Sequence, residues 1–409
     1  MKIPFGTISI SERSKGLIAD ILRTNRVSSG KYVREFEARI ARLLGVREAV
    51  AVSSGTDADA LALAVLYDLG AKRYDEVIVP ALSFAATGNA VLQAGFIPRF
   101  VDIDRRTLNI DPDKIESAIN ERTIAILPVH LMGKPADMDR IIQIARRHRL
   151  YVIEDAAEAW GAVYKGKNAG TLGDMGAFSL YVAHLITTVE GGIVVTQRQE
   201  FADILRSLRA HGRACKCSSC VLNISSSYCK NRFSKGDGAD RRFIFERIGY
   251  SSKMNEFEAA IGLGNLDEYE GILKKRRENL LSLIDRFKEF EPWMVSIEQE
   301  DGELIGPHAF PIIIKEGMGF TRDMFVDHLE RHGIDSRHLF SSMPTQCPGF
   351  ARLGYKLGDF PEAEYIGRNG LHIGVHQDIG PKHIDYFIQV CRDFVEELKG
   401  SMVAVGSYG

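Results

Sequence analysis

Residues 176–192 read GAFSLYVAHLITTVEGG. The apolar run from Ala177 to Tyr181 has the length and composition of a buried strand, and it enters a loop rich in Thr, Glu and Gly. Ser179 and His184 then fall near a strand end, where α/β proteins gather the groups that bind ligands. Taken alone, the stretch reads equally well as a buried strand and turn with a hydrogen-bonded histidine, since histidine is common in such loops. Its surroundings have to decide.

On both sides the chain alternates short apolar runs with amphipathic segments. Strands are expected at Ala49 to Val52, Glu76 to Pro80, Arg99 to Asp102, Ile124 to His130, Tyr151 to Asp155, Ala177 to Tyr181 and Ile193 to Thr196. Such alternation implies a mainly parallel sheet covered by helices. Helical periodicity before it, Ile10 to Arg23 and Tyr32 to Leu44, is broken by Ser28-Ser29-Gly30. After it, Asn255 to Glu289 reads as a long helix leading to a smaller α+β domain. That domain holds a strand at Ala309 to Ile314 and helices at Arg322 to His332 and Pro381 to Leu398. The expected division is a large domain over 1–254 and a small one over 255–409. Residues 213–242 form an excursion, and Ser401 to Gly409 a frayed tail.

Composition narrows the class. The chain has 409 residues, 45% hydrophobic and 26% charged, which suits a globular protein with two domains. A formal net charge of −2 offers no electrostatic case for nucleic acid or an anionic membrane surface. The start, MKIPFGTISISERSK, lacks the apolar core of a signal peptide, and no apolar run reaches the roughly 18 residues of a membrane span. A cytoplasmic protein acting on a small molecule is expected.

Four pieces of the large region carry chemistry. Ser53-Ser54-Gly55-Thr56-Asp57 lies between a strand and the helix expected from Ala58 to Leu66, so its backbone N–H groups and the helix dipole suit a phosphate; a plain helix cap is the simpler account. Asp155 ends the strand YVIED, where its carboxylate suits a protonated ring nitrogen or a helix cap. Phe84, in PALSFAAT, offers a face for an aromatic ring or a core contact. Ser179 supplies a second hydroxyl for the phosphate.

The blocks SSGTDADALALAV, VIVPALSFAATGNAV, VIEDAAEAWGA, FSLYVAHLITTVEGGIVVT and GYSSKMNEFEAAIGLGNL, in this order, resemble the DegT/DnrJ/StrS sugar aminotransferase and dehydratase family. That family is a branch of the fold type I, aspartate aminotransferase-like pyridoxal-phosphate enzymes. The resemblance runs from Phe36 to Tyr269 and more loosely beyond. It implies a homodimer with composite active sites. It also implies Gly55, Thr56 and Ser179 on the cofactor phosphate, Phe84 on the ring, Asp155 on the ring nitrogen and Glu158 near the ring hydroxyl. Ser251 in GYSSKM stands where many relatives have an asparagine that reaches the phosphate across the dimer, and Arg337 in IDSRHLF resembles an arginine near the sugar nucleotide.

His184 aligns with the family's Schiff-base lysine, and histidine there resembles the 3-dehydratase subgroup. Imidazole forms no stable imine, so the cofactor is expected as noncovalently held pyridoxamine 5′-phosphate, cycling with pyridoxal 5′-phosphate. With an ordinary pKa of about 6.5, imidazole suits a general base. The implied reaction is C3 dehydration or deoxygenation of a nucleotide-linked 4-keto-6-deoxyhexose.

Of six cysteines, Cys215, Cys217, Cys220 and Cys229 are grouped. GRACKC and the later YCKNRF resemble the iron–sulfur members, of the CDP-4-keto-6-deoxyglucose 3-dehydrase type, which implies a 2Fe–2S centre fed by a reductase. Ala156 and Ala157 stand where those members place a further ligand, and Cys220 is the candidate replacement. The same spacing serves a structural zinc. The alternatives are a cluster-independent dehydratase taking its amine from glutamate, a sugar aminotransferase variant, or a non-catalytic binding protein with zinc.

Overall fold

A computed structural model describes the chain apart from residues 216, 218, 219, 226, 234–238 and 407–409, and apart from the side chains of residues 223 and 401–406. Its strands in chain order are β1 (Glu48–Val52), β2 (Glu76–Pro80), β3 (Ile97–Val101), β4 (Thr123–Ile126), β5 (Tyr151–Asp155), β6 (Val163–Tyr164), β7 (Lys167–Asn168), β8 (Met175–Ser179), β9 (Gly192–Thr196), β10 (Met294–Val295), β11 (Glu303–Leu304), β12 (Ala309–Ile314), β13 (Ser336–His338) and β14 (Gly370–Gly374).

Seven of them form the central sheet, in the order β1-β9-β8-β5-β4-β2-β3. Only β9 runs against its neighbours, pairing antiparallel with β1 and β8. Every residue of β2, β8 and β9 is buried, as expected for strands covered on both faces. The register sets Val52 opposite Gly192, Gly192 opposite Ser179, and Ala177 opposite Asp155. The carboxyl ends of β1, β5 and β8 therefore open on one edge, where such sheets bind ligands.

The helix Glu256–Phe287 begins in a capping box: Asn255 accepts the Glu258 N–H at 3.1 Å and Glu258 accepts the Asn255 N–H at 2.8 Å. It leads to an antiparallel sheet ordered β10-β12-β14-β13. Several links cross from one half of the chain to the other, Leu82 bridging Ser342 among them. β11 pairs with β6, and Ile3 bridges Ile334 beside the second sheet.

Some expected bounds differ. The run to His130 ends as a strand at Ile126, because the chain then turns toward β5 through a Val129–Asp155 bridge. The terminal helix continues to Gly406 instead of fraying from Ser401. The excursion holds only the short helix Val221–Ser225 and a single 3-10 turn at Arg241–Phe243 among its described residues. No helix of the described residues is long and apolar enough to cross a membrane.

Candidate active site

The cup after β1 is built by close backbone approach. Ser54 caps the helix Gly55–Ala64, accepting the Asp57 N–H at 3.0 Å, which leaves the other first-turn N–H groups pointing outward. A Cβ on Gly55 would lie 2.8 Å from the Ser179 Cβ, and one on Gly192 would lie 2.1 Å from the Ser54 carbonyl oxygen. Glycine at both positions brings the ends of β1 and β8 together, with the Ser179 hydroxyl beside the helix start.

Asp155 is buried at the end of β5. One carboxylate oxygen accepts the Thr87 hydroxyl at 2.7 Å and the other the Ala157 N–H at 3.1 Å. Burial raises its pKa, and these two bonds act in the opposite direction by holding the anion. Phe84, at the start of the helix Ala85–Gln93, is 61% exposed although it borders this buried region, with Phe340 at 5.5 Å between ring centroids. Exposure of so large an apolar face at a strand-end opening fits a ring platform.

Glu158 accepts the Met132 N–H at 2.7 Å, and burial pushes its pKa up to about 7. His184 follows β8 in a turn closed by its own N–H on the Tyr181 carbonyl at 2.9 Å. Its Nδ1 is buried without a hydrogen-bond partner. Burial, with His308 and Arg276 nearby, holds its pKa well below the ordinary histidine value. A neutral imidazole has one ring nitrogen free to accept a proton.

Phosphate cup, buried carboxylate, exposed aromatic face and unpartnered imidazole thus meet at one sheet edge, and they fit a phosphorylated pyridine cofactor. The sequence model of the DegT/DnrJ/EryC1/StrS aminotransferase family matches residues 9–392. The chain belongs to this family. It is 34% identical over 405 residues to the dTDP-4-dehydro-2,6-dideoxy-D-glucose 3-dehydratase of Saccharopolyspora spinosa, covering 96% of this chain and 86% of that protein. It is 35% identical over 382 residues to the GDP-perosamine synthase of Caulobacter vibrioides, covering 91% and 92%. Among solved structures, GDP-4-keto-6-deoxy-D-mannose-3-dehydratase of E. coli with bound hydrated PLP superposes with a TM-score of 0.84 at 32% identity, over 95% of this chain and 99% of that one. The fold is therefore the fold type I architecture of this family, an α/β large sheet with a smaller second sheet.

Two other residues expected at the site come from elsewhere in the chain. Arg337, on β13, stacks its guanidinium over Phe5 at 5.1 Å, and the Phe5 ring meets His372 at 5.2 Å. Ser251 is exposed, and the neighbouring Ser252 carbonyl accepts the Ser53 N–H at 3.1 Å.

The cysteines expected as metal ligands gather in the excursion. Cys215, Cys217, Cys220 and Cys229 line one cavity of about 540 Å³, shared with Arg206, Arg209, Arg213, Arg242 and Lys253. Among the described residues, no three His, Cys, Asp or Glu side chains are arranged to hold a metal ion. Burial and the neighbouring thiols raise the Cys215 pKa. Sequence spacing thus brought the four cysteines to one cavity.

Three neighbours of the site were not legible in the sequence. Thr87 reads as an ordinary helix residue, His308 sits in a short GPH turn, and Arg276 lies mid-helix. No local pattern marks any of them.

Proposed function

We propose that this chain is a sugar-nucleotide 3-dehydratase, removing the C3 hydroxyl of a nucleotide-linked 4-keto-6-deoxyhexose with His184 as general base. The observation that carries this reading is a histidine, neutral and with an unpartnered Nδ1, standing on the loop after β8 beside the phosphate cup. Pyridoxamine 5′-phosphate, when bound, supplies an amine for the 4-keto group and a conjugated ring that accepts electrons. The N–H groups of Gly55 and Thr56, with the Ser179 hydroxyl, would hold the phosphate. Asp155 would keep the ring nitrogen protonated, Phe84 would cover one ring face, and Glu158 would meet the ring hydroxyl. His184 would take a proton at C4′ and return it to the departing hydroxyl, which would leave as water. Without a lysine at position 184, none of these groups can tether the cofactor covalently, which counts against ordinary transamination despite the likeness to a perosamine synthase.

In the same reading residues 1–254 and 255–409 form the two domains, the protein is a cytoplasmic homodimer, and Ser251 and Arg337 serve cofactor phosphate and sugar nucleotide. Phe243, Phe245 and Ile248, the last 98% exposed, form an apolar edge suited to the second copy. One form of this reading is cluster-independent, with glutamate returning the amine. A 2Fe–2S centre on Cys215, Cys217, Cys220 and Cys229 with a partner reductase is the competing form. About two irons per chain in an anaerobic preparation would support it. A non-catalytic protein stiffened by zinc is disfavoured by the converging Asp155, Ser179 and His184.

His184→Asn tests the central reading. The variant is expected to bind pyridoxamine 5′-phosphate, seen by absorbance, while losing both sugar dehydration and solvent exchange of the C4′ proton. Normal turnover in the variant would overturn the base assignment.

A further inference from the structure

We infer that His308 is a positioning residue for His184: held on Glu158, its ring forms a wall beside the base and keeps that base in its proton-accepting state. The role rests on the base assignment proposed above.

One turn builds this wall. Met132 and Gly133 both adopt positive φ, 54° and 77°, and a Cβ on Gly133 would lie 1.9 Å from the Gly306 carbonyl oxygen. Glycine alone permits that approach. Gly306 N–H donates to the Gly133 carbonyl at 2.9 Å, and His308 N–H donates to the Gly306 carbonyl at 2.8 Å. The adjacent Met132 N–H holds Glu158 at 2.7 Å. Glu158 and the loop bearing His308 are thus fixed by the same few residues, which sets the His308 Nε2 3.4 Å from a Glu158 oxygen. The opposite consequence is that the His308 ring faces His184, with centroids 5.1 Å apart and planes tilted by 34°.

Charge around the pair points the same way. His184 is faced by His308, by Arg276 from the long helix, by the Tyr181 ring at 6.3 Å, and by Glu268 across a recess of about 20 Å³. His308 is faced by Glu158, His372 and Arg276. Burial and Arg276 push the His308 pKa down to about 3, so it stays neutral, and Arg276 itself is buried. An imidazolium at position 184 would have a second imidazole and a guanidinium beside it, with little water to screen them. Such a base accepts a proton only in passing and gives it up readily to a leaving hydroxyl.

The test is the titration of His184 itself, in cofactor-free protein labelled with ¹⁵N-histidine and assigned by its loss in His184→Asn. His308→Ala opens the wall to water and is expected to raise the His184 midpoint by about one pH unit. His308→Gln, which keeps a polar contact to Glu158 and most of the volume, is expected to stay near wild type. In turnover, the acid limb of kcat/KM should move upward with the alanine variant. Should that variant not fold, His308→Ser makes the same opening with the same expectation. An unmoved midpoint on opening the wall, or an equal displacement by glutamine, overturns the role. Absence of sugar dehydration in the wild-type enzyme would instead overturn the functional reading, with the titration still measurable.

Discussion

Gly55 faces Ser179 so closely that a Cβ on the glycine would lie 2.8 Å from the serine Cβ and 3.0 Å from its Oγ. The contact joins the helix start after β1 to the end of β8, and both sides of the phosphate cup depend on it. Gly55→Ala is expected to destabilise the fold by about 1–3 kcal/mol, the usual range for overpacking a tight site. It should weaken binding of pyridoxal 5′-phosphate while leaving unphosphorylated pyridoxal little changed. Urea unfolding and two parallel absorbance titrations read the two effects, and unchanged phosphate binding would speak against the cup.

The helix Lys31–Leu44 begins at Gly30, which has no side chain to cap it. Glu256, buried and distant in sequence, takes over: it accepts the N–H groups of Gly30 at 2.9 Å, Tyr32 at 3.0 Å and Val33 at 2.9 Å. Glu256→Ala leaves these donors without their partner beside a positive helix end and is expected to cost about 1–3 kcal/mol. Glu256→Gln, which still accepts, should cost less. Chemical denaturation of the pair checks the order.

A buried ion pair ties the same helix to the central sheet. Arg209 donates to Glu37 at 2.6 Å and to the Ala51 carbonyl at 2.5 Å, while Glu37 accepts the Ala51 N–H at 2.9 Å. Arg209→Met strands a buried carboxylate and is expected to cost about 3–5 kcal/mol. Adding Glu37→Gln should restore part of the loss. A double variant no more stable than Arg209→Met alone would show that the pair is not what holds this contact.

Glu158 gives stability a pH dependence of predictable sign. Its pKa rises from 4.5 to about 7 on folding because burial disfavours the anion. The native state therefore holds a proton that the unfolded chain releases. The stability from this group is fully present below about pH 4.5 and is lost as pH rises toward 7, a swing of about 3 kcal/mol. Glu158→Gln, which keeps the acceptor for Met132 N–H, should flatten the wild-type-minus-variant difference above pH 7 and leave the variant more stable at pH 8. Denaturation midpoints across pH 4 to 8 measure this. A variant less stable than wild type at pH 8 would reverse the assigned cause.

Much of this was legible along the chain, because strands and helices are written in local periodicity. The bounds of β2 and β5 match the apolar runs EVIVP and YVIED, and Asp155 at a strand end follows from them. Asn255 and Glu258 announce the long helix by their spacing. The cysteine group was legible for a related reason: spacing sets which residues lie near one another, and all four line one cavity.

From sequence alone came the alternating architecture, the phosphate cup, the carboxylate at the end of β5 and the histidine where a lysine was expected. Only the tertiary structure decided what surrounds that histidine. His308, Arg276 and Glu158 come from separate segments, and they meet because the Met132–Gly133 turn packs against Gly306 and the long helix brings Arg276 beside His184. Periodicity reports which face of an element is buried. It carries no information on which distant side chains will share that burial, and it is this shared burial that holds the proton affinity of His184 down.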